Sequence, residues 1–187
     1  MIENKIVKQK PTLYLFVGCP GAGKTTLAKF IAKQTGAYHI WADQERQKMF
    51  TYPTHSIQES QTLYKALDIK ADMLLKSGQS VVFDTNFNYR RDRDLLRSIA
   101  EKNGAQTKLI WLNVSPEIAK VRALHHTHRD RNGYLVAMTE AEFNHLCDHL
   151  EPPEEDEHPI KIDTTDIKQE QLVQHFSALD KPTTKQY

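Results

Sequence analysis

A glycine-rich segment near the start of the chain has the residue types and the spacing needed to hold phosphate groups. Residues 18–25 read GCPGAGKT and match the pattern G-x-x-x-x-G-K-[ST]. The glycines let the backbone bend so that successive N–H groups point at one cluster of phosphate oxygens, and the start of the following helix adds partial positive charge. The residues expected around the phosphates are Gly18, Pro20, Gly21, Ala22, Gly23, Lys24, Thr25 and Thr26.

Two side chains at the end of this loop add specific chemistry. Lys24 is long enough to reach the terminal phosphates of a bound nucleotide, and the Thr25 hydroxyl can ligate Mg²⁺. The chain lacks the Asn-Lys-x-Asp sequence with which a GTPase reads its base, and Asp84 is followed by Thr85 where a mechanical ATPase usually has a water-activating Glu. We therefore predict phosphoryl transfer to a bound acceptor, with Lys24 as a catalytic cation.

Two carboxylates and one arginine follow other apolar segments and form a candidate acceptor site. Asp43 can accept the proton of an acceptor hydroxyl, and Arg46, three residues later, offers a planar fork for a phosphate or carboxylate. Asp84 can orient Arg46 or hold a Mg²⁺-bound water. The competing interpretations are structural: Asp43 as the N-cap of a helix over residues 44–50, and Asp84 as the cap of a helix from Asn88.

Basic residues occur in two further places. A segment over about 116–138 is predicted to be a helical lid whose arginine neutralises charge on the moving phosphoryl group, and Arg129 is assigned this role, with Arg122 and Arg131 as alternatives. A second set opens the helix after Asp84, and its first member, Arg90, is assigned to the acceptor. The second set consists of Arg90, Arg91, Arg93 and Arg97. In both places, a solvated charged face is the competing interpretation.

Short apolar runs alternate with long amphipathic stretches, which predicts an α/β fold with a mostly parallel sheet. The predicted strands are Thr12 to Val17, Ala37 to Ile40, Ser80 to Phe83, Thr107 to Leu112 and Pro159 to Ile162. Helices are predicted over about 57–77, 88–102, 116–124 and 140–150, and the acidic stretch 151–158 is predicted to be a solvated loop. We expect one domain over residues 1–180 and a flexible tail over 181–187.

Composition limits the kinds of partner. The 187 residues carry 25 Lys+Arg against 24 Asp+Glu, so a formal charge of +1 gives no overall field toward nucleic acid. No apolar run approaches the roughly 18 residues that span a bilayer, so no membrane partner is expected, and no obligate protein partner is inferred. The two cysteines cannot make a disulfide framework, and the first residues do not resemble a secretory or transit segment, so we expect a cytoplasmic location.

The motifs GCPGAGKTT (18–26), Asp43-x-x-Arg46 and VVFDTNFNYRRDR (81–93), with LIWLNVSPE and LEPPEEDEHPIKIDT further along, resemble a known family. It is the family of small P-loop kinases that includes the kinase domain of phage polynucleotide kinase, with zeta toxins and chloramphenicol phosphotransferase as more distant relatives. The similarity covers Leu13 to about Thr165. It implies a three-layer P-loop NTPase fold of the adenylate-kinase type with a five-stranded, mostly parallel sheet, helices on both faces and a helical lid. It also implies ATP and Mg²⁺ as cofactors.

The resemblance further implies roles for single residues, with Asp43 as the general base, Arg46 and Asp84 on the acceptor side, and a lid arginine on the γ-phosphate. One departure is that Gln44 follows Asp43, where phage polynucleotide kinase has a second acidic residue. The leading hypothesis is an ATP-dependent kinase acting on a polynucleotide 5′-hydroxyl or a nucleotide-like small molecule. The alternatives are an ATP-binding regulatory module and a toxin- or resistance-type kinase of a small metabolite.

Overall fold

The computed structural model describes residues 10–125, 127–129, 135–166, 171 and 174. The strands in chain order are β1 (Thr12–Val17), β2 (Tyr38–Trp41), β3 (Val81–Asp84), β4 (Gln106–Asn113), β5 (Thr127–Arg129), β6 (Leu135–Ala137) and β7 (Ile160–Asp163). The helices are α1 (Lys24–Thr35), α2 (Ala42–Met49), α3 (Ile57–Lys76), α4 (Arg90–Lys102), α5 (Pro116–His125) and α6 (Glu140–Asp148). The predicted tail 181–187 lies outside the described residues.

Five strands form one parallel sheet in the order β2-β3-β1-β4-β7. All five correspond to strands predicted from the sequence, and no bound differs by more than one residue. Strand β1 is buried along its whole length, as expected for a central strand of a parallel sheet that is covered on both faces. The loop that carries the phosphate motif leaves the carboxyl end of this central strand.

Side chains alternate across β1, and each face meets different helices. Leu13 and Leu15 pack in one core with Leu67 of α3 and Leu96 of α4. Phe16 points to the opposite face, where it packs with Leu27 of α1. The three-layer α/β fold with helices on both faces of a parallel sheet is therefore confirmed.

Helix bounds follow the capping residues. Ser56 accepts a hydrogen bond from the Glu59 backbone N–H at the start of α3, and Thr139 and Glu142 form the predicted capping box of α6. In the part of the chain that the structure describes, no helix combines the length and the apolar character needed to cross a membrane.

Two local expectations and the two competing capping interpretations were wrong. Asp43 does not cap α2, since Trp41 is the N-cap and Asp43 lies in the first turn, and Asp84 does not cap α4, which begins after Tyr89. The predicted lid is not purely helical, because α5 is followed by β5 and β6, which pair antiparallel. The acidic stretch 151–158 is not simply solvated: it contains a 3₁₀ turn over Glu155–Glu157, and Glu157 is buried.

Candidate functional site

The loop after β1 is packed so closely that glycine is required at two of its positions. Gly21 has a φ of 84°, and a Cβ there would lie 2.3 Å from the Ala119 carbonyl oxygen of α5. A Cβ on Gly18 would lie 2.6 Å from the Leu112 carbonyl oxygen at the end of β4. Both contacts are with backbone atoms, which cannot move aside as the end of a flexible side chain would. The fold therefore fixes the shape of the predicted phosphate-binding loop on two sides.

Lys24 is buried at the start of α1, and its ammonium group is held by the loop itself. Its Nζ atom donates to the carbonyl oxygens of Gly18 at 2.7 Å and Cys19 at 3.0 Å. Burial lowers the pKa of Lys24 to about 8, while the negative charges of Asp84 and Asp43 act to raise it. The ammonium is therefore a desolvated cation whose hydrogen-bond partners are neutral carbonyls.

Asp84, at the end of β3, connects two neighbouring elements. Its Oδ1 accepts a hydrogen bond from Thr25 Oγ1 at 3.2 Å, and its Oδ2 lies 3.1 Å from Nε2 of His39 on β2. Sequence reasoning identified Asp84 and Thr25 but missed His39. His39 is the second of the four residues of β2 and lies opposite Val82, so the rule that singles out strand ends in a parallel sheet does not identify it.

The Thr25 hydroxyl and the Asp84 carboxylate fit the requirements of Mg²⁺. Both are hard oxygen donors, and they lie together beside the phosphate-binding loop. Among the described residues, no three or more His, Cys, Asp or Glu side chains form a group that could hold a metal ion. A divalent cation at Thr25 and Asp84 would thus complete its coordination with nucleotide phosphates and water, as Mg²⁺ does in many phosphoryl-transfer sites.

Asp43, the predicted base, lies in the first turn of α2, immediately after β2. Its side chain is exposed, and it is close enough to Lys24 for its charge to act on the pKa of that lysine. The structure thus brings a solvent-facing carboxylate to the same sheet edge as the phosphate loop and Asp84. A hydroxyl placed between Asp43 and the loop would find a proton acceptor on one side and a phosphoryl donor on the other.

Arg46, the predicted acceptor ligand, is engaged inside the protein. It is buried, its Nη1 donates to Glu59 Oε1, and its Nη2 donates to Ser60 Oγ at 3.3 Å. Glu59 also accepts hydrogen bonds from the backbone N–H groups of Thr54 and His55, and the Thr54 contact in particular lowers the pKa of Glu59 to about 2. Arg46 therefore joins α2 to the start of α3 through a partner that is ionised at neutral pH.

Arg90 and its neighbours on α4 also face carboxylates. Arg90 pairs with Asp156 and, at 2.7 Å, with Glu154. Arg93 is completely buried, and its Nε and Nη2 each donate to one oxygen of Glu157 at 2.7 Å. This group, which we call the α4 ion cluster, consists of Arg90, Arg93, Arg97, Asp94, Glu154, Asp156 and Glu157. Nothing in the local sequence indicates the pairs with Glu154, Asp156 and Glu157, because they join residues some 60 positions apart.

The lid arginines are described to different extents. Arg129 lies on β5, paired in register with Leu135, whereas Arg131 lies outside the described residues. Arg122 of α5 donates to the carbonyl oxygens of Thr164 and Thr165 beyond β7. The assignment of Arg129 to the γ-phosphate stays a prediction.

Several solved structures share this fold. A sugar kinase from Janibacter sp. HTCC2649 is 21% identical with a TM-score of 0.64, over 91% of this chain and 93% of that one. A gluconokinase from Sinorhizobium meliloti 1021 is 20% identical with a TM-score of 0.64, over 90% of each chain. The Mycobacterium tuberculosis APS kinase, solved with AMPPNP and APS, is 17% identical with a TM-score of 0.55, over 91% of this chain and 97% of that one.

These structures show that the fold is shared, and they do not confirm the specific resemblance to phage polynucleotide kinase. No curated protein matches the chain. A family model described as an AAA domain matches residues 13–155, which include the phosphate loop, Asp43 and Asp84. This match covers well over half of the chain, which therefore belongs to that AAA domain family.

Proposed function

We propose that this chain is an ATP-dependent kinase that transfers the γ-phosphoryl group of ATP to a hydroxyl group of a small molecule. The observation that carries the proposal is the position of the Asp43 carboxylate, exposed at the sheet edge beside Lys24 of the phosphate loop. An ATP-binding module without transfer activity has no use for a solvent-facing base at this place. The kinases among the structural neighbours add support at the level of the fold.

In the proposed reaction, the acceptor oxygen attacks the γ-phosphorus while the bond from that phosphorus to the β,γ-bridging oxygen breaks. The acceptor hydroxyl gives its proton to Asp43, and ADP leaves with the electron pair of the broken bond. Lys24 exchanges the carbonyl oxygens of Gly18 and Cys19 for phosphate oxygens and stabilises the charge that develops there. Arg129 is the proposed lid residue at the γ-phosphate. Thr25 and Asp84 would hold Mg²⁺, which would neutralise charge on the phosphates.

The charge distribution favours a small acceptor over a nucleic-acid end. The two arginines predicted to contact acceptor phosphates, Arg46 and Arg90, are both paired with carboxylates of the protein itself. Releasing the buried Arg46 from Glu59 leaves an unpaired buried charge, which is strongly unfavourable. The partly exposed Arg90 already has two carboxylate partners of its own. We therefore favour an acceptor that is recognised through hydroxyl groups, such as a sugar or sugar acid.

The test is transfer of label from γ-labelled ATP with Mg²⁺ to a panel of sugars, sugar acids, nucleosides and 5′-hydroxyl DNA and RNA oligonucleotides, with Lys24→Ala as the blank. We expect label in a small polyhydroxyl compound. Label in an oligonucleotide alone would show that the acceptor is a nucleic-acid end and not a small molecule. Tight ATP binding without transfer to any compound would favour the regulatory module.

Asp43→Asn should lower the turnover number about 10²- to 10⁴-fold because the hydroxyl loses its proton acceptor. ATP binding should be nearly unchanged, because Asp43 has no assigned role at the phosphates. Glu45→Gln is the matched control, since Glu45 lies two residues further along α2 and pairs with Lys48 and Lys70. Equal turnover by wild type and Asp43→Asn would refute the base assignment.

A further inference from the structure

The two cysteines of the chain, 128 positions apart, are brought together by the fold. Cys19 in the phosphate loop and Cys147 in α6 are bonded through their sulfurs, and their Cα atoms are 5.3 Å apart. This Cα separation lies within the range in which a disulfide forms without backbone movement. Two cysteines are too few to predict a disulfide framework from sequence, and no local pattern pairs these two, because α6 returns to the loop only in the folded chain.

Cys19 is part of the nucleotide-binding loop and not merely adjacent to it. Its carbonyl oxygen accepts hydrogen bonds from Lys24 Nζ at 3.0 Å and from the Ala22 backbone N–H at 3.1 Å. Both cysteines are partly exposed, and both pack against a small apolar cluster that contains Ala119, Phe143 and other side chains of α5 and α6. A soluble thiol or disulfide can therefore reach them, while the surrounding cluster holds them in place.

A covalent bond at this point restrains the loop more than packing does. The loop already fits tightly against α5, where Gly21 leaves no room for a Cβ next to Ala119. Helix α6 begins three residues after β6, the second strand of the lid hairpin. Without the bond, the loop and α6 are held together here by packing against the apolar cluster. With the cysteines oxidised, any adjustment of the loop around phosphates must carry α6 with it.

We propose that Cys19 and Cys147 form a reversible oxidation site whose disulfide weakens ATP binding by locking the phosphate loop to α6. The oxidant is a low-molecular-weight disulfide of the glutathione class. One cysteine thiolate attacks it and releases one thiol, and the second cysteine thiolate then displaces the other thiol. One intramolecular S–S bond forms, the oxidant's S–S bond breaks, and the two cysteine protons end on the two released thiols.

The first measurement is the state of the cysteines. The full chain is equilibrated in buffers that range from reduced to oxidised glutathione, free thiols are alkylated, and peptides are identified by mass spectrometry. We expect a peptide pair joined through Cys19 and Cys147 whose amount increases with the oxidised fraction. Finding only glutathione adducts or bridges between two chains would overturn the proposal.

The second measurement is ATP affinity by calorimetry, on the oxidised chain and on the same chain after reduction. Coupling between the cysteine pair and the phosphate loop should raise the Kd for ATP of the oxidised form about fivefold or more. Reduction should restore the lower Kd. Cys147→Ser is the matched control and should bind ATP equally in both buffers. An unchanged or lower Kd in a chain shown to carry the bridge would overturn the inhibitory effect.

The effect on turnover rests on the proposed kinase function, whereas bridge formation and ATP affinity need no acceptor. Failure to find an acceptor thus leaves both measurements valid. Conversely, a kinase with an identified acceptor that binds ATP equally in both redox states would overturn only this inference.

Discussion

Two buried cations of this protein are held in opposite ways. Lys24 in the phosphate loop donates to two neutral carbonyl oxygens, and burial lowers its pKa to about 8. Arg93 in the α4 ion cluster is completely buried but meets both oxygens of Glu157, and its Nη1 donates to three further backbone carbonyl oxygens. Lys24 donates to neutral carbonyl oxygens with carboxylates only nearby, whereas Arg93 is paired directly with a carboxylate.

This difference means that Lys24 can bind a ligand, whereas Arg93 stabilises the fold. A lysine held by carbonyls can exchange them for phosphate oxygens and gain a charged partner, so binding is favourable. An arginine paired with a buried carboxylate has nothing comparable to gain, and leaving its partner isolates a charge in the interior. Sequence patterns treat both as basic residues near a candidate site, but only one is available to a nucleotide.

The largest effect should come from removing Lys24. Lys24→Met should lower phosphoryl transfer by about 10³-fold, because a preorganised charge at the phosphates is lost. Its free energy of unfolding should not fall, since a desolvated ammonium is removed from the interior. Steady-state kinetics and urea unfolding measure the two quantities, with Lys33→Met on the exposed side of α1 as the control. A large loss of stability with phosphoryl transfer retained would show that Lys24 stabilises the fold and does not act on the phosphates.

Removing Arg93 should lower stability and leave ATP affinity unchanged. Arg93→Met should lower the free energy of unfolding by about 3–5 kcal/mol, because Glu157 is left buried without its partner. The folded fraction should keep its ATP affinity. The double variant Arg93→Met with Glu157→Met should recover most of the lost stability in denaturant unfolding. Equal stability of Arg93→Met and wild type would show that this pair does not support the fold.

The pH dependence of ATP binding should report Lys24 directly. Phosphate oxygens favour the charged ammonium, so ATP affinity should be constant below pH 8 and fall above it as Lys24 loses its proton, by up to about tenfold per pH unit. Calorimetry in buffers of different ionisation enthalpy should detect proton uptake on binding near pH 8. Lys24→Arg should remove both effects.

The lowered pKa of Lys24 also predicts how the free energy of unfolding depends on pH. Its contribution should rise with pH, whereas ATP affinity should fall. The pKa of Lys24 is lower in the folded chain than its ordinary value of 10.5, so the unfolded chain binds more protons between pH 8 and 10.5. The contribution of this group to the free energy of unfolding should therefore rise over that interval. Urea unfolding of wild type and Lys24→Arg at several pH values measures the contribution of Lys24 as the difference between the two free energies of unfolding.

The smallest effect should come from the exposed end of the α4 ion cluster. The Arg90 side chain is 34% exposed, and its carboxylate partners are more exposed still. Arg90→Gln should therefore change the free energy of unfolding by no more than about 1 kcal/mol. Transfer kinetics should also stay close to wild type if Arg90 only supports the loop 154–157. A marked rise in the KM of the acceptor would instead restore the original assignment of Arg90 to the acceptor.

Much of the fold could be predicted because its signals are local. The apolar run of β1, the capping residues of α3 and α6, and the glycine spacing of residues 18–25 each act within a few positions along the chain. The candidate base Asp43 followed from its place after β2, since parallel strands bring their carboxyl ends to one edge. These features needed no knowledge of distant partners.

The sequence alone thus determined the layered α/β fold and the nature of the phosphate loop, because periodicity and backbone conformation are local properties. Only the tertiary structure decided which charges are free. Arg46 meets Glu59, Arg93 meets Glu157, His39 meets Asp84, and Cys19 meets Cys147. The availability of a charged or reactive side chain depends on what the folded chain places against it, and no spacing rule specifies contacts between residues that lie far apart in sequence.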